Sequence, residues 1–186
     1  MARWEGNTRH RLERAALDLF REQGYDGTTV AQIAQRANLT ERSFYRWFAD
    51  KRAVLFADDE LERHLLAAID AVPADTGAFP TLLAAFTTAP EVFRPREFLL
   101  ERAAVIAANP PLQERELIKL ATLSEALTAA LVRRGHIPQT ARLATDAALA
   151  VLRLTAERCL TDERADFAHV LAASAADLVA VTTDRR

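Results

Sequence analysis

With one cysteine, Cys159, in 186 residues, the chain can close no disulfide within itself, and such usage fits a reducing compartment. The thiol reads as a small buried hydrophobe rather than a redox group. Glycine is also scarce, five in all. No Gly-rich loop follows a strand pattern, which argues against a nucleotide-binding fold. Long apolar runs are missing: charges interrupt every amphipathic segment, leaving no stretch able to span a bilayer. Nothing apolar follows Met1-Ala2-Arg3-Trp4-Glu5-Gly6, so no secretory leader is expected and the expected location is cytoplasmic. The histidines, His10, His64, His136 and His169, are scattered and have no thiol at ligand spacing, so no metal site is expected. No Ser, His and Asp are placed as nucleophile, base and orienter. The expectation is no metal, no cofactor and no catalysis.

What is present is apolar residue at helical spacing, half of the chain being hydrophobic. The net charge of -2 conceals an uneven distribution. Residues 1–56 hold ten Lys or Arg against seven Asp or Glu, and the remainder holds fourteen against nineteen. A small basic head on an acidic body can turn one face toward a polyanion, although the asymmetry alone is no more than ordinary surface charge would allow.

Leu12, Ala15, Ala16, Leu19 and Phe20 share one helical face, predicting a helix over about 8–23 that Gly24 ends. Thr29, with Gln32 three residues on, forms a capping box for a two-turn second helix. Thr40 caps a third helix from Glu41 to Trp47 or Phe48, with Leu39 placed to staple against Phe44. Asp50 is expected to cap a fourth helix running unbroken from Lys51 to Val72, a rod of roughly 30 Å. Residues 73–80 read as a linker. Further helices are expected at about 81–88, around Phe98 to Ile106, and at 112–134, 139–160 and 162–182. No segment alternates in the manner of a strand. The expected fold is therefore all-α with about nine helices: a helix-turn-helix head over 1–50 and a helical effector-binding and dimerisation body over 51–186.

In the head, Phe44 and Phe48 can pack on Val30, Ile33, Leu19 and Phe20. The opposite side of the third helix then displays Glu41, Arg42, Ser43, Tyr45, Arg46 and Trp47. An α-helix fits the major groove, where Arg reaches guanine O6 and N7. Arg42 and Ser43 are the candidates for reading bases. Tyr45, Trp47 and Lys51 are better placed for phosphates, and Thr29 offers a helix N-terminus to another. Tyr45 and Trp47 could instead be core aromatics, and a short hairpin bearing arginines is often only a solvated face.

These stretches carry a resemblance. Thr28-Thr29-Val30-Ala31-Gln32-Ile33-Ala34, Ala37-Asn38-Leu39-Thr40 and Ser43-Phe44-Tyr45-Arg46-Trp47-Phe48-Ala49-Asp50-Lys51 are similar to the DNA-binding domain of the TetR family of transcriptional regulators. Ala15 to Tyr25 matches that family's first helix and turn, so the likeness covers about residues 8–56. It implies phosphate contacts for Tyr45, Lys51 and Thr29 and base contacts for Arg42 and Ser43. The family often has Gly where this chain has Arg42.

In the body, the helix over 139–160 is apolar around nearly its whole circumference, so a second subunit is the economical cover for one face. Leu143, Ala147, Val151 and Leu154, with Phe167, Val170, Leu171, Ser174 and Leu178 of the last helix, are the candidates for a two-fold four-helix interface. Such a homodimer would bind an inverted-repeat operator on double-stranded DNA. The resemblance implies the same interface. It also implies a small-molecule effector in the body that tilts the fourth helix and spreads the heads. Candidate lining residues are Phe86, Phe93, Phe98, Arg102, Ile106, Leu120 and Leu127, each with an ordinary core reading as well. Arg102 could pair with an acidic ligand or with a neighbouring Glu. The expected function is a repressor released by an effector. An effector-independent or activating regulator, a helical protein-binding module and an all-α enzyme are the alternatives.

Overall fold

The computed structural model describes residues 2–56 and 59–183, with side chains described from Thr8 onward. Among these residues the chain is all helical. The nine α-helices are α1 (Ala2–Gln23), α2 (Val30–Arg36), α3 (Glu41–Tyr45), α4 (Glu60–Ala71), α5 (Ala78–Phe86), α6 (Arg96–Ala107), α7 (Pro110–Arg133), α8 (Pro138–Thr161) and α9 (Phe167–Thr183). Short 3-10 turns lie at Ala53–Leu55 and Ala89–Val92. No helix among the described residues is long and apolar enough to cross a membrane. The chain forms two compact units, Met1–Asp58 with Glu97–Lys119, and Asp59–Arg96 with Leu120–Arg186. It passes between them three times.

The first unit is built on α1, whose Leu12, Ala15, Ala16, Leu19 and Phe20 are all buried. Gly24 closes α1 at φ 81°, the left-handed region that favours glycine. Around this face gather Ile33 and Ala34 of α2, Phe44 of α3, and Phe48, Val54, Leu55 and Phe56 beyond it. Val105 and Ile106 of α6 and Leu112 of α7 complete the same core, with Phe98 packed against it. Arg14 and Arg21 of α1 both pair with Glu101 of α6, at 2.8 and 3.2 Å.

The expected rod from Lys51 to Val72 is not formed. A 3-10 turn at Ala53–Leu55 comes first, Phe56 leaves helical geometry at φ -129°, and α4 begins only at Glu60; residues 57 and 58 lie outside the described residues. The cause is burial. Val54, Leu55 and Phe56 are three consecutive residues, all buried in the first core, and one α-helical face cannot bury three in a row. At about 1.5 Å per residue the twelve residues of α4 span roughly 18 Å.

The second unit buries Leu65 and Ile69 of α4, Leu82 and Phe86 of α5, Leu127 and Leu131 of α7, Ala148 and Val151 of α8 and Leu171 of α9. α5 starts three residues ahead of its expected bound, at Ala78, because Pro80 falls in its first turn, where a missing N–H costs nothing. α9 starts at Phe167 rather than at 162. Asp162 holds a turn by accepting the Arg164 N–H at 2.9 Å, and Asp166 accepts the His169 N–H at 2.8 Å as the cap. Arg134 ends α7 by donating to the carbonyls of Ile69 and Val72, at 3.0 and 2.8 Å. Cys159 is half-buried; burial, then Asp166 and Asp162, push its thiol pKa up.

Between α2 and α3, Asn38 sits at φ 53°, a conformation in which a Cβ-bearing residue other than Asn or Asp costs about 1–2 kcal/mol. Asn38→Ala should lower the urea midpoint of unfolding by about that free energy, and Asn38→Gly should leave it within a few tenths of a kcal/mol.

Candidate nucleic-acid interface

α2 and α3 have seven and five residues, too few to hold as helices by their own hydrogen bonds. Side chains close their ends. Thr29 Oγ1 accepts the Gln32 N–H at 3.2 Å while Gln32 Oε1 accepts the Thr29 N–H at 2.8 Å, the reciprocal box expected from the sequence. Thr40 Oγ1 accepts the Ser43 N–H at 3.2 Å. Arg11 of α1 reaches the other end of α2, donating to the carbonyls of Ala37 and Asn38. Asp50 accepts the Ala53 N–H at 2.8 Å and pairs with Arg52, so it caps the 3-10 turn rather than a long helix. Partial burial would raise the Asp50 carboxyl, but the Ala53 N–H and the Arg52 guanidinium outweigh it and hold it below its ordinary range.

Phe44 and Phe48 are buried in the core and contact each other with centroids 5.4 Å apart. Their inward placement turns the other side of α3 outward. Tyr45 is 56% exposed, its ring edge-on to Phe44. The Arg42 side chain is exposed and makes no ion pair or hydrogen bond among the described residues, while its carbonyl accepts the Arg46 N–H. Arg46 is exposed, with its guanidinium carbon 5.7 Å from the centre of the Trp47 ring. Trp47 is half-buried against the core, so only part of its ring faces outward. The Ser43 hydroxyl lies 3.0 Å from Thr40 Oγ1, so part of its bonding capacity goes to the cap. Thr29 is exposed at the start of α2.

Lys51, expected at a phosphate, has partners within the head. Its ammonium donates to the carbonyls of Tyr25 and Thr28 at 2.7 and 3.0 Å and lies 4.2 Å from the centre of the Tyr25 ring. Other cations of the first unit are also engaged. Arg36 pairs with Glu22 through two bonds of 2.9 and 2.7 Å, which lower the Glu22 pKa and raise that of Arg36.

The seven residues expected to line an effector pocket are divided between the two units. Phe98, Arg102 and Ile106 belong to the first unit. Phe86 and Leu127 are fully buried in the second core, Phe93 packs edge-on to Phe167 at 5.5 Å, and Leu120 is exposed. Arg102 pairs with a Glu of its own unit. It forks onto Glu116 at 3.2 and 2.7 Å, donates to the Leu55 carbonyl at 2.9 Å and lies over the Phe56 ring. Of the interface candidates, Val151, Leu171 and Ser174 are inside the protomer's own core. Ala147, Leu154, Phe167, Val170 and Leu178 are half-buried and Leu143 is 71% exposed. The exposed Val179 of α9 was not among them. The cleft bordered by Ala49, Asp50, Arg52, Ala53, Pro111, Glu114, Arg115 and Ile118, about 240 Å³, has no counterpart in the sequence reading. No group of His, Cys, Asp or Glu able to hold a metal ion occurs among the described residues.

This head matches known proteins. Residues 13–57 fit the family of bacterial regulatory proteins named for tetR. The chain is 39% identical over 80 residues to the regulator TcmR of Streptomyces glaucescens; the matched stretch is 42% of this chain and 35% of TcmR. Against the regulator MftR of Mycobacterium tuberculosis the likeness is 28% and covers this chain entirely and 96% of the relative. The likeness to regulators of the TetR family is carried by the head, and the matched stretch spans about a third of the length of TcmR. The fold is shared along its length: SmeT, solved as a triclosan complex, superposes with a TM-score of 0.60 at 19% identity over 94% of this chain and 90% of its own. SmeT is the repressor of the multidrug efflux pump SmeDEF of Stenotrophomonas maltophilia.

The Arg102 fork predicts a stability effect without a ligand. Arg102→Ala leaves the Glu116 carboxylate and the Leu55 carbonyl without their donor and should cost about 1–3 kcal/mol. Glu116→Gln, which keeps one acceptor, should cost less; thermal unfolding of both variants measures the difference.

Proposed function

We propose that this chain is a TetR-family regulator, a cytoplasmic homodimer that docks α3 of each head in the major groove of an inverted-repeat operator and represses transcription there. The carrying observation is the outward face of α3, where Arg42 is exposed and unpaired and Tyr45 stands over a buried Phe44. Arg42 is the group suited to guanine O6 and N7, with Ser43 beside it. Tyr45, Arg46, Trp47 and Thr29 are suited to phosphate oxygens, which set register without reading sequence.

Support for the dimer comes from the two C-terminal helices. α8 buries Ala141, Ala144, Ala148 and Val151 and turns Leu143, Ala147, Ala150 and Leu154 to another side. On α9, Ala172, Ala176 and Val179 are exposed at helical spacing. An apolar face of this kind is what a two-fold partner covers.

Release by a small organic effector is the finer part of the proposal. It draws on SmeT, whose triclosan complex shows a protein of this fold holding a small organic molecule. Coupling requires only that the effector prefer one arrangement of the heads over another. Here it would travel through three chain crossings, not through one unbroken fourth helix.

The deciding experiment is selection of duplexes from a random pool by the full chain. An inverted repeat is expected to emerge. Arg42→Ala should relax base preference at one position in each half-site, at about 1–3 kcal/mol, and Tyr45→Phe should weaken all duplexes alike. Recovery of no preferred duplex overturns the reading. For the dimer, Leu143→Glu with Val179→Glu should shift sedimentation from about twice the 20.6 kDa chain mass to the monomer; an unchanged species rejects this interface.

A further inference from the structure

We propose that the cleft of the first unit, between the chain leaving α3 and the start of α7, binds a free amino acid with an apolar side chain, and that this binding changes how α3 meets DNA. The binding step stands alone. The coupling to DNA rests on the docking of α3 proposed above.

The cleft has a volume of about 240 Å³, below the range that holds drug-sized ligands, so it suits a smaller molecule. Its walls belong entirely to the first unit. Both are anchored in one core: Phe48 and Val54 fix the chain on one side, and Leu112 fixes the first turn of α7 on the other. A cleft held in this way is formed before a ligand arrives, which keeps the ordering cost of binding low.

The lining divides by chemistry. Ala49, Ala53, Pro111 and Ile118 supply apolar contact. Asp50 and Arg52 answer each other at 3.0 Å, and Asp50 also accepts the Ala53 N–H at 2.8 Å. The other two charges are neighbours on α7. Glu114 and Arg115 are exposed, and neither side chain has a hydrogen bond or ion pair among the described residues. Glu114 acts on Arg52 only through space.

The cleft therefore offers one unmatched cation, one unmatched anion and an apolar floor. A ligand of a single sign is attracted by one of these groups and repelled by the other, whereas a zwitterion is attracted by both. Its carboxylate suits the fork of Arg115, its ammonium suits Glu114, and its side chain covers the two alanines and Pro111. Ion pairs that water reaches are individually weak, so binding needs both charges and the apolar contact together. Coupling follows from the walls. Residues 49–53 come directly after Phe48, so a molecule held on α7 by its charges and on Ala49 and Ala53 by its side chain fixes the chain where it leaves α3. A ligand that prefers one position of that chain shifts the affinity of α3 for a duplex.

The test titrates the full chain with L-phenylalanine by calorimetry, without DNA. A Kd of about 1 mM or below is expected for a ligand of this size. 3-Phenylpropionate lacks the ammonium and phenethylamine lacks the carboxylate; each should bind about fivefold more weakly, the upper end for one exposed ion pair. Glu114→Gln should erase the preference over 3-phenylpropionate, and Arg115→Gln the preference over phenethylamine, changes that a general loss of stability does not produce. Ala49→Trp fills the cleft with both charges kept and should abolish binding. Arg133→Gln, in the last turn of α7, should leave it unchanged.

Absence of saturable binding overturns the proposal, and so does binding whose ligand preferences ignore Glu114→Gln and Arg115→Gln. With the duplex selected from the random pool, saturating L-phenylalanine should change affinity by about fivefold or more, and should change nothing for Ala49→Trp. Binding that leaves duplex affinity unaltered overturns the coupling. If the wild-type chain selects no duplex, the docking reading fails, and the titration still decides the site.

Discussion

Burial of two phenylalanines governs the recognition surface. α3 has five residues and no hydrogen-bonded interior to speak of; what orients it is the insertion of Phe44 and Phe48 into the core formed by α1 and α2. Once those positions point inward, Arg42, Tyr45 and Arg46 have only the outward side left, since residues one and two apart in a helix cannot share a face. The groups offered to a groove are placed by apolar packing, and no interaction among them is needed to put them there.

Short helices impose a second constraint. The first four N–H and last four C=O groups of any helix lack intrahelical partners, so in helices of seven and five residues most backbone groups are end groups. Thr29, Gln32, Thr40, Arg11, Asp50 and Lys51 supply partners for them or for the turns between. The charge balance of the head follows from this use. Arg36 is held by Glu22, Arg52 by Asp50, and Arg14 and Arg21 by Glu101. Much of the positive charge counted along residues 1–56 is therefore committed to holding the fold, and the count overstates what a phosphate backbone would meet.

How much of this was legible in the sequence depends on the range of the interaction. Caps and stripes are local, so the Thr29–Gln32 box, the Thr40 cap, the Gly24 stop and the buried Phe44 and Phe48 could be read from spacing alone. The long fourth helix could not. Val54, Leu61, Leu65 and Ile69 fall at intervals of seven, four and four, which satisfies a helical period, yet Val54 enters one core while Leu65 and Ile69 enter the other. Periodicity reports that each segment buries a face and is silent on whether the faces share a core. The same blindness grouped Phe98, Arg102 and Ile106 with Phe86 and Leu127. Long-range polar partners such as Lys51 with Tyr25, or Glu101 with Arg14, leave no mark in periodicity at all.

The C-terminal helices show where apolar circumference carries information that burial within one chain does not use up. α8 satisfies its own unit with Ala141, Ala144, Ala148 and Val151, and a solvated helix would place polar residues on the remaining arc. Leu143, Ala147, Ala150 and Leu154 form an apolar strip within that arc, flanked by exposed Arg142, Asp146 and Arg153. Several cations of the head are paired within it, and affinity for duplex DNA at cellular salt grows with the number of phosphates neutralised. Pairing two heads through these helices would double every contact and multiply the two discriminations. On the proposed reading, the alanines and valine left open on α9 would matter to Arg42 at the other end of the chain, because a second head would let a weak reading group suffice.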